Sequence, residues 1–183
     1  MTIPPVRELN PQVVHRLSRV KAFLLDVDGV LTDGSITISA DGIETRVFTL
    51  MDAESIRAAQ RIGIHFGIIT TYASDLVIAR ARELDIHDIY HGMFDKIDAY
   101  TDFKNLYELH DDDIAFMGDG ILDVSVLRRV GFAATPANAH ASAKIAAHYI
   151  SRYRGGYGAV REVLTMLIRV HTGDEEALPP PIL

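Results

Sequence analysis

The sequence predicts an α/β fold: a mainly parallel sheet with helices on both faces and one inserted β-hairpin. Three observations carry that prediction. Short apolar runs alternate with stretches of helical periodicity through residues 21–172, the pattern of repeated strand–helix–strand units. Several of the runs empty directly, or through glycine, into Asp or Thr, as strands do where the carboxyl edge of an open parallel sheet holds a ligand. The exception is a pair of alternating segments around Ala40-Asp41-Gly42, whose Asp-Gly step signals a hairpin.

In chain order, residues 1–20 read as a polar lead-in with a short helix over 11–20, and a first strand spans 21–27. Segments 35–39 and 44–50 make the hairpin, so that 32–50 is inserted in a connection that ordinarily takes about 2–6 residues. A lone two-stranded hairpin is marginally stable, so this one is expected to pack over the site or against another subunit. A helical pattern begins at Asp52, with Ile56, Ala59 and Gln60 leading to Gly63 as its stop. Strand 64–70, helix 74–84, strand 88–90, helix 94–109, strand 113–117 and helix 121–130 follow. Short strands at 132–134 and 148–150 flank a helix at 139–146, and a last helix covers 158–171. The domain so defined, 21–172, is Rossmann-like. The tail 173–183, with Asp174-Glu175-Glu176 and Pro179-Pro180-Pro181, is expected to be disordered.

The functional signal is concentrated in Phe23-Leu24-Leu25-Asp26-Val27-Asp28-Gly29. Residues two apart on a strand point the same way, so Asp26 and Asp28 project together past the strand's carboxyl end. Two anions held that close need a shared proton or a cation. The pair suits a metal-assisted reaction in which one carboxylate attacks and the other moves a proton. A calcium loop also opens Asp-x-Asp, but it needs an oxygen ligand at its fifth position and glycine at its sixth, where this chain has Val30 and Leu31.

Three later strand ends add groups suited to phosphate. Thr70-Thr71 offers hydroxyls and backbone N–H groups at a helix entrance. Lys96 lies early in the next helix, and Gly118-Asp119-Gly120 with Asp123 repeats the emptying of an apolar strand into carboxylates. Each is an ordinary turn or cap by itself; their order, one after each strand, sets them apart.

Composition limits the alternatives. The 183 residues are 48% hydrophobic and 23% charged, enough for one domain with a buried core. A formal charge of −7 argues against nucleic-acid binding through a general basic surface, so an anionic substrate must be met by a metal or a few local cations. The absence of cysteine excludes disulfides, thiolate zinc sites and cysteine nucleophiles. No Walker loop, Gly-x-Ser-x-Gly elbow or His-Glu-x-x-His motif occurs. No apolar run approaches the ~18 residues of a membrane span. The first twenty residues, with Arg7, Glu8, Arg16 and Arg19, do not read as a signal peptide. A cytoplasmic protein without a membrane partner is expected.

Together these residues resemble the haloacid-dehalogenase superfamily of aspartate-nucleophile phosphatases. Within it, Asp26-Val27-Asp28-Gly29-Val30-Leu31-Thr32-Asp33-Gly34 is similar to the 3-deoxy-D-manno-octulosonate 8-phosphate phosphatase group. The resemblance runs through residues 21–167 and takes in Gly92, Lys96, Arg128-Arg129-Val130-Gly131, Asn138-Ala139-His140 and Gly155-Gly156-Tyr157-Gly158-Ala159-Val160-Arg161-Glu162-Val163. It implies no large cap domain, and a homotetramer in which the hairpin and tail of neighbouring subunits help close each site. It implies Asp26 as nucleophile, Asp28 as acid and base with a backbone carbonyl on the metal, and Mg²⁺ among Asp26, Asp28 and Asp119, with Asp123 orienting the metal shell. Thr70 and Lys96 would hold the phosphoryl oxygens, while Thr49, Leu50, Met51, Asp52, Ala53, Arg57, Tyr72 and Arg80 correspond to substrate-contacting positions. The implied substrate is a small phosphorylated sugar acid, first of all the octulosonate phosphate of lipopolysaccharide precursor synthesis.

The match departs from the family pattern at four places. Thr70-Thr71-Tyr72 stands for Thr-Gly-Arg, Met51-Asp52-Ala53 for Arg-Asp-Gly, Gly118-Asp119-Gly120 for Gly-Asp-Asp, and Tyr157 for an arginine. The loss of three arginines leaves two other expectations open. One is a related phosphatase for another sugar or nonulosonate phosphate; the other is a non-catalytic tetrameric homologue that binds a metabolite or acts as a scaffold.

Overall fold

The computed structural model describes residues 3–175 and 177. Its centre is a six-stranded sheet, parallel throughout. The strands are β1 (Ala22–Leu25), β4 (His65–Ile69), β5 (Asp88–Tyr90), β6 (Ile114–Met117), β7 (Phe132–Thr135) and β8 (Tyr149–Ile150), in spatial order β5-β4-β1-β6-β7-β8. The chain steps from β1 outward through β4 to β5, then returns to the other side of β1. The topological switch therefore falls between β1 and β6, where Leu25 lies in register with Met117, and there open α/β sheets bind ligands.

All four residues of β1 are buried, as expected of a strand covered on both faces. Alternation divides them: Phe23 and Leu25 join the cluster with Leu17, Ile56, Leu164 and Leu167, whereas Ala22 and Leu24 join Tyr100, Phe103 and Leu127. The first face is covered by α1 (Pro11–Leu17), α2 (Leu50–Arg61) and α7 (Ala159–Thr172). On the second lie α4 (Lys96–Leu106) and α5 (Val124–Leu127). Gly67 of β4 matters there, since a Cβ would come within 2.7 Å of Leu24 Cδ2 and 3.0 Å of Phe103.

Helix boundaries shift from their expected places for local reasons. The lead-in helix ends at Leu17, and Val13, Leu17 and Val20 enter the main core. Helix α2 begins at Leu50 because the Thr49 side chain accepts from the Met51 N–H at 3.0 Å. Asp95 caps α4 in the same way. The segment expected as one helix over 121–130 opens as a 3₁₀ turn, Ile121–Asp123, because the Asp123 carboxylate folds back onto the Asp119 and Gly120 N–H groups. Helices α3 (Asp75–Glu83) and α6 (Ala141–Ala146) complete the set.

The hairpin forms, but only β2 (Thr37–Ile38) and β3 (Glu44–Thr45) pair. The residues after β3 leave the ladder to lead into α2. The tail is partly tied down where it is described: the Glu175 carboxylate accepts from the Val6 and Arg7 N–H groups, and the Ala177 carbonyl from Arg169 Nε. Of the tail expected to be disordered, residues 176 and 178–183 lie outside the described part. Among the described residues no helix is long and apolar enough to cross a membrane.

Asp52 lies between α2 and α7, buried, its Oδ1 accepting from the Arg161 N–H at 2.8 Å in the first turn of α7. Burial pushes its carboxyl up to about 7, against the pull of that N–H and of the Arg161 charge. A carboxyl raised in the folded state binds more protons there than when unfolded. Its contribution to stability is therefore complete below the unfolded value near 4 and declines as pH rises toward 7. Thermal melts of the wild type and Asp52→Asn at pH 5 and pH 8 test this. The wild type's advantage over the variant should shrink at pH 8, and an equal advantage at both pH values would contradict the assignment.

Candidate active site

The cleft opens where β1 and β6 end. The Asp26 N–H donates to the Met117 carbonyl at 2.9 Å, which joins the two strand ends and sets the Asp26 carboxylate beside the β6 loop. The next residues turn sharply: Leu31 N–H and Thr32 N–H both donate to the Val27 carbonyl, and Thr32 Oγ1 accepts from the Gly29 and Gly34 N–H groups. Gly29 has φ +92°, and a Cβ there would overlap the Asp119 carboxylate; glycine is needed twice over. A second glycine loop braces the turn from behind. Gly156 N–H donates to the Val30 carbonyl, Asn138 Oδ1 accepts from Gly155 N–H, and a Cβ on Gly155 would overlap the Gly29 carbonyl.

Lys96, at the first position of α4, is fully buried and reaches across the cleft. Its Nζ lies 2.8 Å from Asp26 Oδ1 and 2.6 Å from Asp123 Oδ1. The other Asp123 oxygen accepts from the N–H groups of Asp119 and Gly120 at 2.9 and 2.7 Å. The loop after β6 is held from the far side by His140 N–H on the Asp119 carbonyl.

Asp26, Asp119 and Asp123 each turn a carboxylate oxygen to within 4.8 Å of the others. Burial and the charge of Asp123 push Asp26 up to about 8, with Lys96 pulling the other way. Burial and Asp123 likewise push Asp119 up to about 6. Desolvation acts to lower the Lys96 ammonium, but Asp26 and Asp123 outweigh it and raise it. Three carboxylates against one lysine leave the cluster short of positive charge, which favours the protonated forms of Asp26 and Asp119. An all-oxygen donor set with excess negative charge fits a hard divalent cation. Asp26 and Asp119 have oxygens to give, whereas Asp123 is engaged by Lys96 and two N–H groups and orients the others.

The cleft has a volume of about 230 Å³ and is lined by Asp26, Asp28, Thr70, Thr71, Tyr72, Lys96, Asp119 and the turn from Gly120 to Asp123. The structure thus brings together most of the chemistry-bearing residues singled out from sequence. Thr70 is buried at the end of β4, and its N–H and carbonyl are engaged by Tyr90 and Met93. Tyr72 stands exposed on the rim.

Other expected substrate contacts lie elsewhere in the chain. Asp52 and Ala53 are buried between helices, Thr49 is the cap of α2, and Arg57 pairs with Glu83 at 3.6 Å. Leu50 and Arg80 line a separate, open cavity with Arg46 and Phe48. There Arg80 pairs with Glu83 at 2.7 Å and sits over the Phe48 ring. Within one copy of the chain none of these reaches the cleft. Met51, exposed, is likewise absent from its lining.

The residue missed from sequence is Arg46. Its side chain is 1% exposed although it stems from the hairpin, and its Nε lies 2.8 Å from Asp28 Oδ1. No local pattern marked it: only Glu44 and Thr45 pair in β3, and its apolar neighbour Val47, with Ile38 and Ile43, is exposed.

A buried lysine among carboxylates at the switch point of a parallel α/β sheet is an arrangement suited to handling a phosphorylated ligand with the help of a cation. Comparison with known proteins agrees. Residues 64–164 match the model of the haloacid dehalogenase-like hydrolase family, and the chain belongs to that family. It is 34% identical to the 3-deoxy-D-manno-octulosonate 8-phosphate phosphatase of Yersinia pestis over 156 residues, 85% of this chain and 83% of that protein. The corresponding Escherichia coli K12 enzyme is 33% identical over 169 residues, 92% and 90% of the two chains. The Y. pestis crystal structure superposes with a TM-score of 0.90 at 32% identity, covering 95% of this chain and 94% of that one. The Moraxella catarrhalis enzyme, solved with magnesium, phosphate and the octulosonate sugar, superposes at 0.87 with 31% identity, covering 88% and 93%. The protein is a phosphoric monoester hydrolase similar to these phosphatases.

Proposed function

We propose that this chain is a Mg²⁺-dependent phosphatase that hydrolyses 3-deoxy-D-manno-octulosonate 8-phosphate through an aspartyl-phosphate on Asp26. The observation that carries this reading is the Lys96 ammonium bridging Asp26 and Asp123, with Asp119 in the same cluster. It supports Asp26 as the attacking carboxylate and Lys96 as the cation that meets the phosphoryl charge. The ligands of the Moraxella enzyme support the substrate class and the metal.

Asp26 attacks phosphorus as the bond to the sugar oxygen breaks, dividing one difficult displacement into two easier ones. Asp28 protonates the departing alkoxide and then takes a proton from the water that attacks the aspartyl-phosphate. Lys96 and the Thr70 hydroxyl receive the equatorial oxygens, whose charge is greatest in transit. Asp26, the Asp28 backbone carbonyl and Asp119 are the groups that would hold Mg²⁺, which when bound neutralises negative charge between nucleophile and phosphate. Asp123 fixes the Lys96 ammonium and the loop that carries Asp119.

With 4-nitrophenyl phosphate and Mg²⁺, the wild type should turn over and Asp26→Asn should lose essentially all activity. Activity retained in that variant would rule out covalent catalysis at Asp26, and an inactive wild type would favour a non-catalytic homologue.

Tyr72 favours a second reading, in which the same chemistry serves a different sugar phosphate. It stands exposed on the cleft rim where the resembling family carries arginine, and a guanidinium recognises carboxylates bidentately as a phenol cannot. Tyr72→Arg should raise kcat/KM for the octulosonate phosphate by about the tenfold that 1.4 kcal/mol of added binding provides. A fall, with better turnover of another sugar phosphate by the wild type, would favour the second reading.

A further inference from the structure

We propose that Arg46 is a positioning residue for Asp28, a two-point clamp that the hairpin supplies to the proton-transferring carboxylate. Its Nε lies 2.8 Å from Asp28 Oδ1 and its Nη2 3.5 Å from Oδ2, so two nitrogens meet two oxygens along one edge. The remaining nitrogen is itself held, by Glu44 Oε2 at 2.8 Å and Ser74 Oγ at 3.3 Å. Glu44 belongs to the hairpin and Ser74 precedes α3. The guanidinium is therefore braced from two elements before it touches Asp28, and a planar fork so fixed sets the plane of the carboxylate it grips. The contact draws the Asp28 side chain toward the hairpin, leaving Asp26, Asp119 and Asp123 as the three that cluster. A buried ion pair is a poor source of net stability, so packing alone gives little reason for an arginine here. A proton donor that must face the departing oxygen in one orientation does.

This inference rests on Asp28 as the acid of the proposed reaction, and the test separates the two. Phenyl phosphate and 4-nitrophenyl phosphate are of similar size and differ in how much the leaving oxygen needs a proton. Their kcat/KM values report steps up to its departure. With Mg²⁺ present, Asp28→Asn is expected to lose activity more severely on phenyl phosphate. Arg46→Met should show the same bias, at least ~10-fold beyond its loss on the nitrophenyl ester, as part of the roughly 10²–10⁴-fold that a positioned acid contributes. Arg46→Lys, which keeps the charge but not the fork, and Glu44→Gln, which loosens only the brace, should fall between wild type and Arg46→Met. The latter two keep the test in force if Arg46→Met does not fold. Equal losses on both esters, or a rise in KM with kcat unchanged, would overturn the positioning role in favour of a structural or substrate-binding one. If Asp28→Asn shows the bias and none of the other variants does, only the role of Arg46 falls. If Asp28→Asn shows none, the assignment of Asp28 as acid falls with it.

Discussion

Three carboxylates and one ammonium share a buried volume at the end of the central strands, and most of the site follows from that imbalance of charge. Like charges within a few ångströms in a poorly solvated place repel strongly. The chain does not relieve the repulsion by moving them apart. It fixes Asp123 with Lys96 and two backbone N–H groups, leaves Asp26 and Asp119 under-compensated, and so builds a demand for a cation at the mouth of the cleft. The same demand explains why Asp28 is held apart by an arginine of its own.

The architecture serves this arrangement. The reversal of strand order between β1 and β6 opens the crevice, and the Asp26–Met117 hydrogen bond closes its floor. Glycines at 155 and 156 let their loop approach the backbone at 29–33 more closely than any side chain would allow. The Asp119 carboxylate occupies the space a Cβ on Gly29 would take, so the loops after β1 and β6 are fitted to each other directly.

Much of this was legible in the sequence. The alternation of apolar runs and helical periods identified the parallel sheet, and the strand-end polar groups at 26, 28, 70, 96, 119 and 123 converge in one cleft. What was not legible depended on distant partners. Asp52 sits in an acidic, exposed-looking context in sequence, yet it caps a helix more than a hundred residues away. The turn at 121–123 replaces a helix because of hydrogen bonds that only the folded loop forms. Arg46 lies between Thr45 and Val47 with nothing local to separate it from a solvated cation, and only the return of the hairpin over the cleft shows its partner.

The most direct test of the charge argument is calorimetric titration of Mg²⁺ into metal-free protein, in buffers of different ionisation enthalpy, between pH 6 and pH 8. If the carboxylate cluster holds a proton that the cation replaces, binding must release protons at the lower pH and tighten as pH rises, because proton and metal compete for the same oxygens. Release that fades toward pH 8, with tightening affinity, is the expected result. Binding that is independent of pH and releases no proton would contradict the account.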